Sequence, residues 1–296
     1  MREGYASRTA EQNALFRSLE SSRRETIRIC DDYLARHFLT WPLSLVMLGA
    51  ALPGVAPFVC SFIDRRWPGV RSSVVARTRL IDDVISTALD EGIEQLVVLG
   101  AGFDSRAYRM PRLRGIEVFE VDHPDTQAAK QEVLKRLLGV LPKHVRFVAV
   151  DFKRDDLTSA MSRADYRAAA RTFILWEGVT NYLTESAVDS TLHWGSRAAA
   201  GSTLLFTYVH GDVLTRPAVF AGTKNLFASL EKAGERFTFG MEPTHMPQYL
   251  AERGFSLELD IGAAEYRARY YGAKARKIRG HEFYRVALAR VGRGAV

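Results

Sequence analysis

From residue 93 onward, short apolar runs recur along the chain at 95–99, 117–121, 145–150, 172–176 and 202–208. Runs of that length with few polar interruptions are the pattern of strands covered on both faces. Between them the apolar residues fall at helical spacing. This predicts a helix from about Ser105 and further helices over 125–138, 155–168 and 184–199. Strand and helix in repeated alternation predict an α/β fold with a doubly wound, mostly parallel sheet. Two later strands, 255–260 and 282–291, bring the predicted sheet to seven, and a helix over 244–253 stops at the C-cap signal Gly254.

The first part of the chain follows a different pattern. Residues 6–37 read mostly as helix, with Leu15, Leu19, Ile27 and Leu34 set among many charges. From Phe38 to Ile63 there is no charged residue at all. The run is long enough to cross a bilayer. However, Pro42, Pro53 and Pro57 with Gly49 and Gly54 cut it into pieces of about ten residues. Such pieces suit an apolar cap or pocket wall, or contact with a membrane surface. Trp67-Pro-Gly predicts a turn, and Ser72 or Ser73 can cap a helix from Val74 to about Leu89, ended by Gly92. Residues 211–245, with Pro217, Gly222, Gly234 and Gly240, read as an irregular insertion. The expected organisation is a helical N-terminal cap over 1–73 and a Rossmann-like domain over 74–296, with an inserted lid at about 211–245 after the fifth strand.

Composition adds little to this. The 296 residues suffice for a full α/β core, and 47% hydrophobic with 25% charged residues is ordinary for a soluble globular protein. Cys30 and Cys60 offer neither metal spacing nor a disulfide framework, so no metal and a reducing, cytoplasmic setting are expected. The opening Met1-Arg-Glu-Gly-Tyr lacks the apolar run of a secretory leader. A net charge of +7 permits nucleic acid, anionic membrane or an acidic small substrate as partner. The densest basic stretch, Arg267–Arg279 with Tyr266, Tyr270 and Tyr271, is the most RNA-like feature, and a helix with a polar face explains it equally well.

Candidate chemistry gathers at the predicted strand ends. Leu96–Arg106 carries four apolar residues into Gly100-Ala101-Gly102, a tight turn where backbone can approach a ligand. Asp104 follows, and Ser105 stands where a dinucleotide fingerprint would place its third glycine. A carboxylate in that loop would repel a phosphate and attract an ammonium group, which favours S-adenosylmethionine over NAD. Asp122 ends the second strand twenty residues past Gly102, where an acid bonds ribose hydroxyls. Asp151-Phe152 ends the third strand and offers an acceptor for an adenine amino group beside a ring to pack on it. Glu177 ends the fourth strand. His210, just past the fifth strand, is the candidate general base, with His245 second.

Leu99-Gly-Ala-Gly-Phe-Asp-Ser-Arg106, Phe119-Glu-Val-Asp-His-Pro124, Val150-Asp-Phe152 and Trp176-Glu-Gly-Val-Thr-Asn-Tyr-Leu183 resemble the successive motifs of the leucine carboxyl methyltransferase and polyketide O-methyltransferase family. Thr9-Ala10, Ala14, Arg17 and Glu20, the run Ala76–Asp83, Phe239-Gly-Met-Glu-Pro and Leu250–Phe255 resemble its bacterial branch. The resemblance covers most of residues 6–291. It implies a class I methyltransferase with S-adenosyl-L-methionine as cofactor. Arg77 would pair with the cofactor carboxylate. Gly100, Ala101, Gly102 and Asp104 would line its methionine and ribose side, and Asp122 and His123 would stand at the ribose. Asp151 and Phe152 would hold the adenine, and Glu177 the methionine end. Tyr182 matches a substrate-facing tyrosine, and Lys153 stands where a basic residue could hold a substrate carboxylate. The expected activity is O-methylation of a carboxylate or hydroxyl on an apolar small molecule, in secondary metabolism. The other readings are a protein C-terminal carboxyl methyltransferase and a non-catalytic membrane-surface or nucleic-acid-binding module. A monomer or homodimer without nucleic acid or stable membrane insertion is expected. Residues 38–63 match no family motif.

Overall fold

The computed structural model describes residues 8–152 and 154–292. Seven strands form one sheet: β1 (Gln95–Leu99), β2 (Glu117–Asp122), β3 (Val145–Ala149), β4 (Thr172–Trp176), β5 (Thr203–Val209), β6 (Phe255–Gly262) and β7 (Tyr284–Val291). Their order is β3-β2-β1-β4-β5-β7-β6. The first five are parallel, and β7 enters antiparallel between β5 and β6. β1, β4 and β5 are buried along their whole length, which is why they read as apolar runs with few polar interruptions. The strand order reverses between β1 and β4, and that reversal opens a crevice at the carboxyl ends of the strands.

Twelve helices surround the sheet among the described residues. They are α1 (Arg8–Ser21), α2 (Leu43–Ala50), α3 (Val55–Arg66), α4 (Val70–Asp90), α5 (Arg106–Arg109), α6 (Pro124–Leu138), α7 (Leu157–Arg163), α8 (Glu185–Gly195), α9 (Asp212–Thr215), α10 (Thr223–Ala233), α11 (Met246–Ala251) and α12 (Ala263–Tyr271). The strand period of two sorts the core into two layers. Leu96, Val98, Phe173 and Leu205 face α1, α4 and α12. Val97, Leu99, Ile174, Leu204 and Phe206 face α7, α8 and α11.

The structure departs from the sequence reading in four places. Helix α1 stops at Ser21, and turns follow where one long helix was expected. Helix α4 starts at Val70, behind Gly69 at φ +77°, where a Cβ would lie 2.0 Å from the Gly280 carbonyl oxygen. Ser72 and Ser73 therefore sit inside α4 and do not cap it. Ser73 shares a 2.5 Å hydrogen bond with the Tyr266 hydroxyl. The segment 211–245 contains a true helix, α10, and its two glycine "loop" signals are its left-handed caps, Gly222 and Gly234. Finally, α12 lies between the last two strands and takes up the first part of the basic stretch, Arg267–Tyr271. Arg267 is 1% exposed and donates to the Gly280 carbonyl at 2.7 Å, and Tyr266 is buried, so neither is displayed to a partner. Among the described residues no helix is long and apolar enough to cross a membrane.

Candidate active site

The turn after β1 is held from three sides. The Gly100 and Ala101 N–H groups both donate to the Val121 carbonyl of β2, at 2.8 and 3.1 Å. The Asp122 carboxylate accepts from the Gly102 N–H and, at 2.6 Å, from the His123 N–H. Gly100 sits at φ +66°, and a Cβ there would lie 2.3 Å from Val179, so no other residue fits without rebuilding the turn. Gly102 approaches Ala10 of α1, whose side chain would be 3.3 Å from an added Cβ. Between these elements lies a cavity of about 500 Å³ at the switch point.

Most of the residues expected from sequence line that cavity. Gly100, Ala101, Gly102 and Asp104 form its loop wall. Asp122 and His123 come from the end of β2, Asp151 and Phe152 from the end of β3, and Glu177 from the end of β4. Arg77 reaches in from α4, and Tyr182 from a short 3₁₀ turn, Thr180–Tyr182. Burial raises the Asp122 carboxyl above its ordinary value, against the opposing pull of the Gly102 and His123 N–H groups. Burial and the Glu235 carboxylate push the Tyr182 hydroxyl up.

The charges near the loop form a closed network. Arg77 Nε donates to Glu177 at 2.7 Å, and its guanidinium lies 4.6 Å from the Tyr284 ring centre. Arg106 donates to Glu177 at 3.0 Å and to Asp82 at 2.7 Å, and it is bonded to Asp104. Arg109 meets Asp82 at 2.8 Å. Ser105 donates to Asp32 at 2.6 Å, and Arg17 holds Asp32 at 2.7 Å and the Phe103 carbonyl at 2.7 Å. This corrects the reading of Asp104 as an open negative charge, because its carboxylate is neutralised by Arg106. Burial would raise the Asp104 carboxyl, but Arg106 overrides burial and holds it at about 2. Glu177 is likewise held below its ordinary value, burial being outweighed by Arg77 and Arg106.

Two expected residues are not brought into the cleft. His210 is absent from the lining. Its Nδ1 accepts from the Asp212 N–H at 3.1 Å, its Nε2 lies 3.5 Å from Glu242, and its ring packs on Phe220. His245 ends a 3₁₀ turn, Pro243–His245, and is also absent from the lining. Lys153 lies outside the described residues. Sequence reasoning gave no role to Arg106, Asp82 or Glu235. Arg106 closes the quoted loop motif, and an acid on the same helix as Arg77 was a usable signal for Asp82. Nothing in the chain pattern pointed to Glu235, which lines the cleft just past α10 and accepts from Thr9 of α1 at 2.6 Å.

The sequence model of one family, described as leucine carboxyl methyltransferase, matches residues 10–195. The chain belongs to the leucine carboxyl methyltransferase family. A Streptomyces coelicolor protein, provisionally named as an S-adenosyl-L-methionine-dependent methyltransferase, is 36% identical over 219 residues, 72% of each chain. A Frankia alni protein under the same provisional name is 35% identical over 211 residues, 70% of each chain. Among solved structures, a Thermobifida fusca protein titled as a methyltransferase aligns with a TM-score of 0.59 at 17% identity. The alignment covers 87% of this chain and 94% of the other, a likeness of fold. The chain is thus an S-adenosyl-L-methionine-dependent methyltransferase of this family. The segment matched by the leucine carboxyl methyltransferase model runs from α1 to the end of α8 and contains every expected cleft residue. His210 lies beyond it.

Proposed function

We propose that the protein transfers a methyl group to an oxygen of an apolar small molecule, with a carboxylate as the favoured acceptor. The observation that carries this reading is the convergence of Asp122, Asp151 with Phe152, and the Arg77–Glu177–Arg106 cluster on one cleft. The cleft, at about 500 Å³, is within the range that encloses a nucleoside-sized ligand. Asp122 would accept ribose hydroxyls through the lone pairs left by its two backbone donors. Asp151 would accept from the adenine amino group and Phe152 would pack on the ring. Glu177 would accept from the ammonium and Arg77 would pair with the carboxylate of the methionine end. The sulfonium of S-adenosyl-L-methionine supplies both the electrophilic methyl group and the leaving group.

The residues of this chain align the acceptor and exclude water. Residues 1–73 would act as a cap and 211–245 as a lid over the cleft. The insertion supports an apolar acceptor, since Phe237 meets the Tyr182 ring at 5.5 Å and Phe227 at 5.6 Å. Arg236, exposed in the cleft lining, has no ion pair among the described residues and offers a charge for an acceptor carboxylate, beside the expected Lys153. Asp104 and Glu177 are paired with arginines, and the Tyr182 hydroxyl is pushed up. His123 caps α6, accepting from the Asp125 N–H at 3.3 Å. A carboxylate acceptor needs no base, being ionised well above its pKa of about 4.

Isothermal titration of the pure protein with S-adenosylhomocysteine tests the cofactor half. We expect binding that Asp122→Ala weakens roughly 10- to 100-fold, the value of hydrogen bonds to a charged group. A panel of apolar acids and phenols with labelled donor tests the acceptor half. Turnover flat down to about pH 6 supports a carboxylate, and a rate that climbs toward pH 10 points to a phenol.

A further inference from the structure

The uncharged stretch Phe38–Ile63 folds as a helical hairpin, α2 followed by α3, that is apolar on both faces. Its inner face, with Val46, Met47, Ala50, Val59 and Ile63, packs into the core layer shared with α1 and α4. Among the described residues nothing covers its outer face. Trp41, Leu45, Leu48 and Leu52, at positions i, i+4, i+7 and i+11, are 52–76% exposed, and Phe58 and Phe62 of α3 are 78% and 67% exposed. Soluble helices put polar residues on such a face, and six large apolar side chains on one exposed hairpin mark an interaction surface.

The charges around the hairpin select its partner. Arg36 stands exposed before it and Arg65 exposed at its end, while Asp64, the acid of α3, is bonded to Arg71 at 2.6 Å. At that end opens a second cavity of about 510 Å³ lined by Arg23, Arg71, Lys274, Lys277, Arg279 and Asp64, with the half-exposed Ile27 at the wall; Arg23 and Arg71 are met by the buried Glu20 at 3.1 and 3.9 Å, which leaves Lys274, Lys277 and Arg279 as its cations without an ion pair among the described residues. The Tyr271 hydroxyl lines it without a hydrogen-bond partner. An exposed apolar face that includes a tryptophan and is bordered by a basic pocket matches a leaflet with acyl chains below and anionic headgroups above. α2 has 8 residues and α3 has 12, too few to span, so the hairpin lies in the interface.

We propose that the α2–α3 hairpin docks this protein on the surface of an anionic bilayer, with its outer face in the acyl boundary and the basic pocket on a lipid phosphate. The docked face lies one helix from the cleft. Glu11 of α1 accepts from the Thr40 hydroxyl at 2.6 Å, and Phe38 stacks on the cleft residue Phe103 at 5.1 Å.

Pelleting with sucrose-loaded vesicles tests this without any methyl transfer. The full chain should sediment with phosphatidylcholine vesicles containing roughly one-third phosphatidylglycerol and bind far less to pure phosphatidylcholine. The paired substitution Leu48→Ser with Phe58→Ser should lower partitioning roughly tenfold or more. Lys274→Glu with Lys277→Glu should lower it by about tenfold on anionic vesicles and leave the neutral ones unchanged. Circular dichroism melts of each variant establish that it is folded, and light scattering reads its mass. Three results would overturn the proposal. One is a wild-type chain that does not sediment at low salt, and another is a folded Leu48→Ser, Phe58→Ser variant that sediments as wild type does. The third is a wild-type dimer that this variant dissociates, which makes the second copy the occupant.

Discussion

The cleft floor and the α2–α3 hairpin lie one helix apart and are built on opposite rules. Beneath the turn at the cleft floor, the buried charges are paired: Arg106 serves Asp104, Asp82 and Glu177, and Arg17 serves Asp32. In the hairpin, residues 38–63 carry no charge at all, and six large apolar side chains are more than half exposed. The first region is specified by pairing, so a single residue change leaves a buried charge alone. The second is specified by class, so one apolar residue can replace another. What separates them is the cost of an unmet group, which is high for a desolvated charge and small for a methyl in water.

The largest expected effect comes from breaking that pairing. Arg106→Met keeps the side-chain volume but leaves Asp104, Asp82 and Glu177 short of a partner. We expect a loss of roughly 3–5 kcal/mol in urea unfolding. Gly100→Ala should cost roughly 2–4 kcal/mol, from the positive φ and the overlap with Val179. Val179→Ala in the same chain should recover the overlap portion and leave the φ portion. A smaller, pH-dependent effect sharpens the contrast. Asp104 falls from 3.8 to about 2 on folding, so its contribution is fully present above pH 3.8 and is lost as pH drops through the folded value. Between about pH 4 and pH 2 the wild type should therefore lose about 2 kcal/mol more than Asp104→Asn, and Glu177 acts in the same direction. Smallest of all, Phe58→Ala on the outer hairpin face should change unfolding by about 0.5 kcal/mol or less. A loss of several kcal/mol there would mean that the face is covered in solution.

The same contrast decides what could be read from the chain. β1, β4 and β5 announced themselves because strands buried on both faces are mostly apolar, and their few polar residues, Gln95, Thr172, Thr203 and Thr207, are buried with them. Asp122, Asp151 and Glu177 were legible because a switch point gathers strand ends, and their chain positions already placed them there. The partners were not legible. Asp104 read as an open charge because its neutraliser, Arg106, is chosen by side-chain direction and not by spacing. His210 sits at the end of β5 as expected, but its ring is drawn to Asp212, Glu242 and Phe220 and away from the cleft. Helix α10 was hidden because Gly222 and Gly234 break a chain and cap a helix with the same left-handed backbone. For residues 38–63 the pattern told what the side chains are, and only the packing of α1 and α4 tells which half of them is left uncovered.

The network beneath the turn holds four guanidinium groups, Arg17, Arg77, Arg106 and Arg109, and four carboxylates, Asp32, Asp82, Asp104 and Glu177. Their charges cancel within a few ångströms, on a chain whose total is +7. A zwitterion entering such a floor adds a plus and a minus and leaves the sum at zero, so its binding is an exchange of partners. Its affinity should hardly move with ionic strength, whereas a polyphosphate would find no excess of positive charge there to hold it.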